Sequence, residues 1–548
     1  MATFWAVLLL TLVVCVLGST WRSRRRLANK SAWQAAAYPP GLEPYPLIGH
    51  LPQLMANRQR LLDWMTDALA LQPTCTLVLH RPGGARAAVT ANPANVEHIL
   101  RARFDNYPKG PRVVSLMHDF LGRGIFNVDG AAWRAQRKVA SHEFNARALR
   151  AFAARSVRAE LRGRLLPLLH RAAASGAVLD LQDALERFAF DNICRVAFGY
   201  DPRQLSEDDD GADVSSAEDG GRFADAFRDA AVLSVERFRY AVPWFWKVKR
   251  ALGVGSERRL RESVAVVHDF ADRIIQSRRE EMSASGGFEE NHDLLSRFMA
   301  CQDDKGHDDD VVVFDSEPKE GPAPDSPSLR DVVISFLLAG RETTSSALAW
   351  FFWLVSSRPD VQRRIRAEIA AVRARRPPDL GSDFEFDVDE LREMHYVHAA
   401  ITESMRLYPP VAVNSLHVNA DDVLPDGTAV RAGWSVGYNL YAMGRMESVW
   451  GPDAREFRPE RWLDDPGDGG GAFQFQPASP FRFASFHAGP RLCLGKEMAY
   501  VQMKSVVVAV MEELDVVVDS AYRPRQVASL TLRMREGLPV TLRPRRDW

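Results

Sequence analysis

The stretch SLRDVVISFLLAGRETTSSALAWFFWLVSSR, from Ser328 to Arg358, constrains the fold more than any other part of the chain. Ser328 with Asp331 three residues on is a capping-box signal, and Pro359 stops the helix near Arg358. The run of about thirty residues predicts a helix about 40 Å long at 1.5 Å per residue, enough to cross a domain. It is apolar on nearly all sides and therefore has to be buried. A membrane span would have to desolvate Arg330, Asp331, Arg341 and Glu342, so a central helix in a large, mainly helical domain is the better reading. Its middle, AGRETT from Ala339 to Thr344, breaks the apolar pattern. Gly340 weakens the helix by about 1 kcal/mol, and a threonine hydroxyl can bond back to a preceding carbonyl. The segment is predicted to widen or bend there and leave room for a small ligand. As pure structure, the threonines would be helix fillers and Glu342 a salt-bridge partner.

The chain supports such a domain. Its 548 residues are 46% hydrophobic and 26% charged, enough apolar material for a large core. No central linker divides it, and no fixed-period repeat points to a solenoid or propeller. A net charge of −1 excludes a dominant nucleic-acid footprint. Five cysteines, Cys15, Cys75, Cys194, Cys301 and Cys493, without CxxC spacing, fit neither a disulfide framework nor a zinc knuckle. They fit a reducing compartment.

Residues 1–21 read as a transmembrane signal anchor: Phe4 to Leu17 is almost wholly apolar, Trp21 is an interfacial aromatic, and Arg22, Arg24, Arg25 and Arg26 follow. With the basic cluster downstream, the rest of the chain is expected in the cytosol. That charge order is wrong for a cleaved signal ending at Gly18, Ser19 and Thr20. Residues 22–50 are a basic, proline-rich hinge that includes PPGLEPYPLIGH, and 51–548 form the domain. Leu77 to Val89 reads as two short strands around Pro82, Gly83 and Gly84, and Val423 to Tyr438 as a second β patch. Arg147 to Ala172, Phe223 to Val235 and Arg259 to Arg279 carry helical periodicity. The acidic stretches Ser206 to Gly221 and Asp303 to Pro327 read as solvated loops.

Three further motifs carry chemistry. Glu403 and Arg406 in ITESMRLYPP lie three residues apart on one helical face, and FRPERW brings Arg461. FHAGPRLCLG, from Phe486 to Gly495, centres on Cys493. A thiolate is a strong, soft donor to iron, and the loop presenting it needs small residues and backbone N–H groups aimed at sulfur. Gly489 and Gly495 allow close approach, Arg491 is a cation for a carboxylate of the bound group, and Phe486 shields the thiolate from water. Five fixed residues at about one in twenty each recur by chance in well under about one in a thousand chains of this length.

Phe486, Gly489, Arg491, Cys493 and Gly495 resemble the heme-binding signature of the cytochrome P-450 monooxygenases. The resemblance extends along essentially the whole chain: anchor, proline hinge, Trp133 and Arg137 in WRAQRK, the AGRETT helix, ExxR, PERW and the cysteine loop. It implies a mainly α fold with a small β-lobe behind an N-terminal membrane anchor helix, and heme b (iron protoporphyrin IX) as cofactor. Cys493 would be the axial thiolate and metal ligand. Glu403, Arg406 and Arg461 would form a structural triad behind the cysteine loop. Trp133, Arg137, His417 and Arg491 would hold the heme propionates, although many family members have arginine at the position of His417. Thr343 and Glu342 would be the catalytic pair, the threonine near the distal oxygen and the acid relaying protons. Electrons would come from NADPH through a separate flavoprotein reductase, since no dinucleotide fingerprint opens a βαβ unit here. A basic face including Lys138, Arg482 and Lys496 would dock it.

RFDNYPKGP, LGRGIFNVDGAAWRAQRKVASHEF, RFAFDNIC and AMGRMESVWG look similar to the plant fatty-acid omega-hydroxylase branch. One departure is Ala484, where relatives tend to have proline. The branch implies a lipophilic substrate, omega or in-chain hydroxylation of fatty acids, and a home in the endoplasmic reticulum membrane. Oxidation of jasmonoyl amino-acid conjugates is the alternative. Val113 to Phe126, Phe336 to Gly340 and Val411 to Leu416 would line the channel. A reductase-independent heme-thiolate isomerase would usually lack the acid–threonine pair, and a heme carrier would need no oxygen-handling groove.

Overall fold

The computed structural model describes residue 38 and residues 41–145, 147–205, 214–240, 244–284, 293–303, 328–376, 386–464, 473–527 and 529–545. The anchor expected over 1–21, most of the hinge and the loop over 304–327 lie outside these. Among the described residues, no helix is long and apolar enough to cross a membrane.

The β-lobe is a four-stranded sheet. β1 (Thr76–His80) pairs antiparallel with β2 (Arg86–Thr90), which runs parallel to Ser435–Asn439, which pairs antiparallel with Val413–His417. These last two are β4 and β3. The hairpin turn sits at Pro82–Gly84, where Gly83 takes φ +78°, a conformation glycine supplies cheaply. The rest is mainly helical: α1 (Gly110–Leu121), α2 (Gly130–Asn145), α3 (Leu181–Phe198), α4 (Val214–Glu236), α5 (Phe245–Leu252), α6 (Gly255–Ala284), α7 (Leu329–Leu337), α8 (Thr343–Ser356), α9 (His395–Leu407) and α10 (Lys496–Glu513). The acidic stretch expected as a loop to Gly221 becomes helical at Val214, because the apolar face starting at Phe223 propagates backwards through Ser, Ala and Glu.

α7 and α8 are one helix joined by a π-helical turn at Leu338–Glu342. It begins as the sequence predicts: the Ser328 hydroxyl accepts the Asp331 N–H at 3.2 Å, and the Asp331 carboxylate accepts the Ser328 N–H at 3.3 Å. Its middle is wider, but Gly340 has a different reason from the one expected. A Cβ there would run into the Ile193 side chain of α3, so glycine lets the two helices pack. The flanking apolar residues, among them Val333, Ile334, Leu337, Leu348, Phe351 and Phe352, are buried, each worth about 1.5–3 kcal/mol. The helix is therefore held in the centre, with α9 and α10 against α8 and α6 and α3 against α7.

Candidate active site

The cysteine loop turns directly before α10. Gly489 holds φ +65°, and a Cβ on it would collide with the Leu100 carbonyl, so both conformation and close approach require glycine. Gly495 meets only Phe144 Cε1 at 3.7 Å, an ordinary contact, so the described protein atoms do not demand glycine there. What Gly495 contributes is its N–H, which bonds the Cys493 sulfur. The Cys493 N–H itself donates to Phe486 O at 2.8 Å, and the Phe486 ring packs on Tyr500 at 5.1 Å.

Cys493 lies deep among protein atoms and yet is exposed, so its thiol faces an internal space rather than bulk solvent. Burial pushes the thiol up, and the Gly495 N–H, Arg137 and Lys496 pull it back toward the thiolate. Coordination to a metal would deprotonate it outright.

Around this space stands a rim of basic side chains. Arg491 Nη2 donates to Asp129 Oδ1 at 2.7 Å and to Val128 O at 3.1 Å, with its guanidinium 4.5 Å over the Trp133 ring. Arg137, one turn further along α2, is pushed down by burial and interacts with Cys493. Gly110 of α1 rests against His417, whose N–H donates to Pro108 O at 2.7 Å. Sequence reasoning missed two members. Lys109 makes no side-chain hydrogen bond or ion pair among the described residues, and burial and Arg491 push it down to about 8. His487 bonds the Tyr438 hydroxyl at 2.7 Å and is pushed down to about 3 by burial and by Lys109. The signal for His487 was its place inside FHAGPRLCLG. For Lys109 only the PKGP turn pointed that way.

Lys109 and Arg491 share one acid, Asp129, and Arg137 faces Cys493, so among the described residues the rim carries an excess of positive charge. A soft thiolate donor open to an internal space, with that rim beside it, fits an iron porphyrin carrying two carboxylates. A cavity of about 600 Å³ lies outside the rim, shares Trp133 and Arg491 with it, and does not reach Cys493. We assign that cavity no chemistry.

Where the π turn passes into α8, Thr343 Oγ1 donates to Ala339 O at 2.6 Å, the back-bond that accompanies the π turn. Glu342 is buried, accepting from Arg341 at 2.9 Å and from Thr531 at 3.2 Å. Arg341 also lies 3.6 Å from Glu186, which is bound by Arg228 at 3.3 Å and Arg533 at 2.6 Å.

Behind the cysteine loop, Glu403 is saturated. Arg406 grips it with two bonds at 2.7 and 2.8 Å, Trp462 Nε1 donates at 2.8 Å, the Arg458 N–H at 3.0 Å and Arg461 Nε at 3.4 Å. Arg406 uses its remaining donors on the Gly444, Ala454 and Glu456 carbonyls. Both members of the pair are fully buried. Lys138, Arg482 and Lys496 are all exposed, though Arg482 stacks 4.2 Å over Trp450.

A family model described as Cytochrome P450 matches residues 39–537. Similar proteins include Cytochrome P450 CYP94D108 of Paris polyphylla, 49% identical over 496 residues covering 90% of each chain. Cytochrome P450 94A2 of Vicia sativa is 44% identical, covering 91% of this chain and 90% of its own. Cytochrome P450 94B1 of Arabidopsis thaliana is 43% identical, covering 94% of each.

Proposed function

The chain belongs to the cytochrome P450 family of heme-dependent monooxygenases, and on that premise we propose that it hydroxylates a fatty acid at the omega or an in-chain position. The observation that carries the chemistry is Cys493, deep in the fold with its thiol exposed toward an internal space and cations at the rim. The substrate class rests on the resemblance of this chain's motifs to the fatty-acid hydroxylase branch.

Bound through Cys493, heme supplies the activation of O2 by two electrons and two protons that ends with one oxygen in a C–H bond and the other in water. The chain's own residues prepare that step. The Gly495 N–H stabilises negative charge on the Cys493 sulfur, and the Phe486 ring keeps water from that side. Lys109, Arg137, Arg491, Trp133 and His417 hold and orient the cofactor's carboxylate edge. With its proton directed at Ala339 O, the Thr343 hydroxyl leaves its oxygen free to accept. Glu342, kept in place by Arg341 and Thr531, is the group that passes protons inward to Thr343. Glu403, Arg406 and Arg461 fix the segment against which the cysteine loop rests.

The electron donor on this reading is an NADPH-dependent flavoprotein reductase docking on Lys138, Arg482 and Lys496. Placement at the endoplasmic reticulum membrane, with the domain in the cytosol, rests on the N-terminal sequence. It is supported by an apolar surface around α5, where Trp244, Phe245 and Leu252 are 61%, 45% and 68% exposed beside Lys247.

The test is a reduced carbon monoxide difference spectrum of the membrane-bound protein, followed by titration with dodecanoic acid and a jasmonoyl conjugate. A thiolate-type Soret band, absent in Cys493→Ala, is expected, together with a substrate-induced shift by the fatty acid. Folded, heme-loaded protein without that band would overturn the thiolate assignment, and a shift only with the conjugate would move the substrate to that class.

A further inference from the structure

Glu186, on α3, holds three arginines that come from three other elements. Its Oε1 accepts from Arg533 Nε at 2.8 Å and lies 2.6 Å from Arg533 Nη2, on the short strand Arg533–Met534. Its Oε2 accepts from Arg228 Nη2 of α4 at 3.3 Å and pairs at 3.6 Å with Arg341 Nη2, in the π turn of the central helix. Glu186, Arg341 and Glu342 are fully buried. The cluster reaches solvent at Arg228, whose Nη1 donates to the exposed Asp225 at 2.9 Å. Asp225, Glu186 and Glu342 match the three arginines in number, so this cluster asks for no ion from outside. A balanced, buried network of this kind can still place a reacting group.

Arg341 is the shared member. Neighbours on a helix point about 100° apart, so helix geometry alone does not bring Arg341 onto Glu342. Arg341 Nη1 nevertheless donates to Glu342 Oε1 at 2.9 Å while Nη2 turns to Glu186, with the guanidinium 5.5 Å from the Phe227 ring. Glu342 is thus gripped by one N–H, not by the two-pronged fork that an arginine and a carboxylate form when nothing competes. Its Oε2 takes the Thr531 hydroxyl at 3.2 Å. Thr531 stands two residues before Arg533, and between them Leu532 O accepts from Ser346 and Trp350 of α8 at 2.7 and 2.9 Å. Glu186 therefore fixes both partners of Glu342, Arg341 directly and Thr531 through Arg533.

We propose that Glu186 is a positioning residue for the reaction. By sharing Arg341 and anchoring Arg533, it keeps one oxygen of Glu342 on a neutral hydroxyl and out of the arginine fork, so that this oxygen is available to pass a proton to Thr343. Without the Glu186 carboxylate, Arg341 turns both Nη groups onto Glu342, and the segment carrying Thr531 loses its tie to α3 through Arg533. This rests on the reading of Glu342 as the proton relay and deepens it.

The experiment compares heme-loaded wild type, Glu186→Gln, Glu186→Asp, Glu342→Gln and the double variant Glu186→Gln with Arg533→Gln. The double variant removes one charge of each sign and serves where the single one fails to fold. Turnover of dodecanoic acid, or of a jasmonoyl conjugate if that is the compound accepted, is measured with NADPH and reductase in H2O and in D2O. It is measured again with hydrogen peroxide as oxidant, which needs no protonation of O2: the C–H compound and H2O2 give the alcohol and water. Substrate dissociation constants and denaturation midpoints are read alongside. Both glutamine variants are expected to lose roughly ten-fold in NADPH-driven turnover with a larger solvent isotope effect, and Glu186→Asp less. Peroxide-driven turnover and substrate binding stay within about two-fold of wild type. A crystal structure of the glutamine variant is expected to show Arg341 donating to Glu342 through both Nη groups. Parallel loss of NADPH-driven turnover, peroxide-driven turnover and substrate binding would make Glu186 a structural residue and overturn the proposal. So would wild-type turnover in the charge-balanced double variant while Glu342→Gln is slow. If Glu342→Gln itself keeps wild-type turnover and isotope effect, the relay reading falls and the proposal with it.

Discussion

Two charged regions flank the cysteine loop, and they are built on opposite principles. Behind it, Glu403 accepts from Arg406, Arg461, Trp462 and the Arg458 backbone, and Arg406 spends its remaining donors on carbonyls. Beside it, Lys109 makes no side-chain hydrogen bond or ion pair among the described residues, and Arg137 faces the cysteine and the neighbouring basic groups His487 and Arg491. A buried charge with every donor and acceptor matched is structural, since nothing is left over for a ligand. A buried charge left open is costly to the protein alone and signals that something anionic completes it.

The largest expected effect breaks the first region. Glu403→Ala strands the buried Arg406 guanidinium and should cost about 3–5 kcal/mol, read as a collapse in the yield of heme-loaded protein and in the denaturation midpoint. Next comes Glu342→Gln, which keeps the shape but removes the proton donor. Product formation should fall about 100-fold while the spectral shift on substrate binding is retained. Lys109→Met then sharpens the contrast. Removing an open charge should leave apoprotein stability unchanged or raise it by about 1 kcal/mol, and speed heme loss roughly ten-fold, followed by transfer of heme to an acceptor protein. Apoprotein destabilised as severely as by Glu403→Ala would erase the distinction between the two regions.

The last comparison is a pH dependence. His487 sits at about 3 in the fold against about 6.5 when unfolded, so the unfolded chain takes up the extra proton between these values. Above the upper value His487 adds no pH dependence, and stability is lost progressively as pH falls from there toward the lower one. His487→Asn, which suits the residue's positive φ of 63°, should flatten that part of the curve in denaturation midpoints measured from pH 7 to 4.

Much of this protein was legible one residue at a time. The long central helix declared itself by its apolar length, its Ser328 cap and Pro359, and its break at Ala339–Thr344 became a π turn with the Thr343 back-bond. The hairpin at Pro82–Gly84 followed from turn chemistry. These features depend on neighbours within a few residues, where propensity and sterics decide. Gly340 was not legible, because its reason is a side chain on another helix, Ile193. The acidic stretch from Val214 also became helix, since packing of the following face outweighed its composition.

Charge pairing was the least legible of all. Composition counts cations and acids, but Arg491 finds Asp129 across 362 residues of sequence, and Lys109, which faces the same Asp129, is left without an ion pair of its own among the described residues. By itself the sequence determined which elements form and which thiol is set in a glycine-lined loop, because those follow from local backbone geometry and the donor chemistry of sulfur. Only the tertiary structure decided which charges are satisfied and which are left open for a ligand, because electrostatic compensation depends on distance through space and on burial.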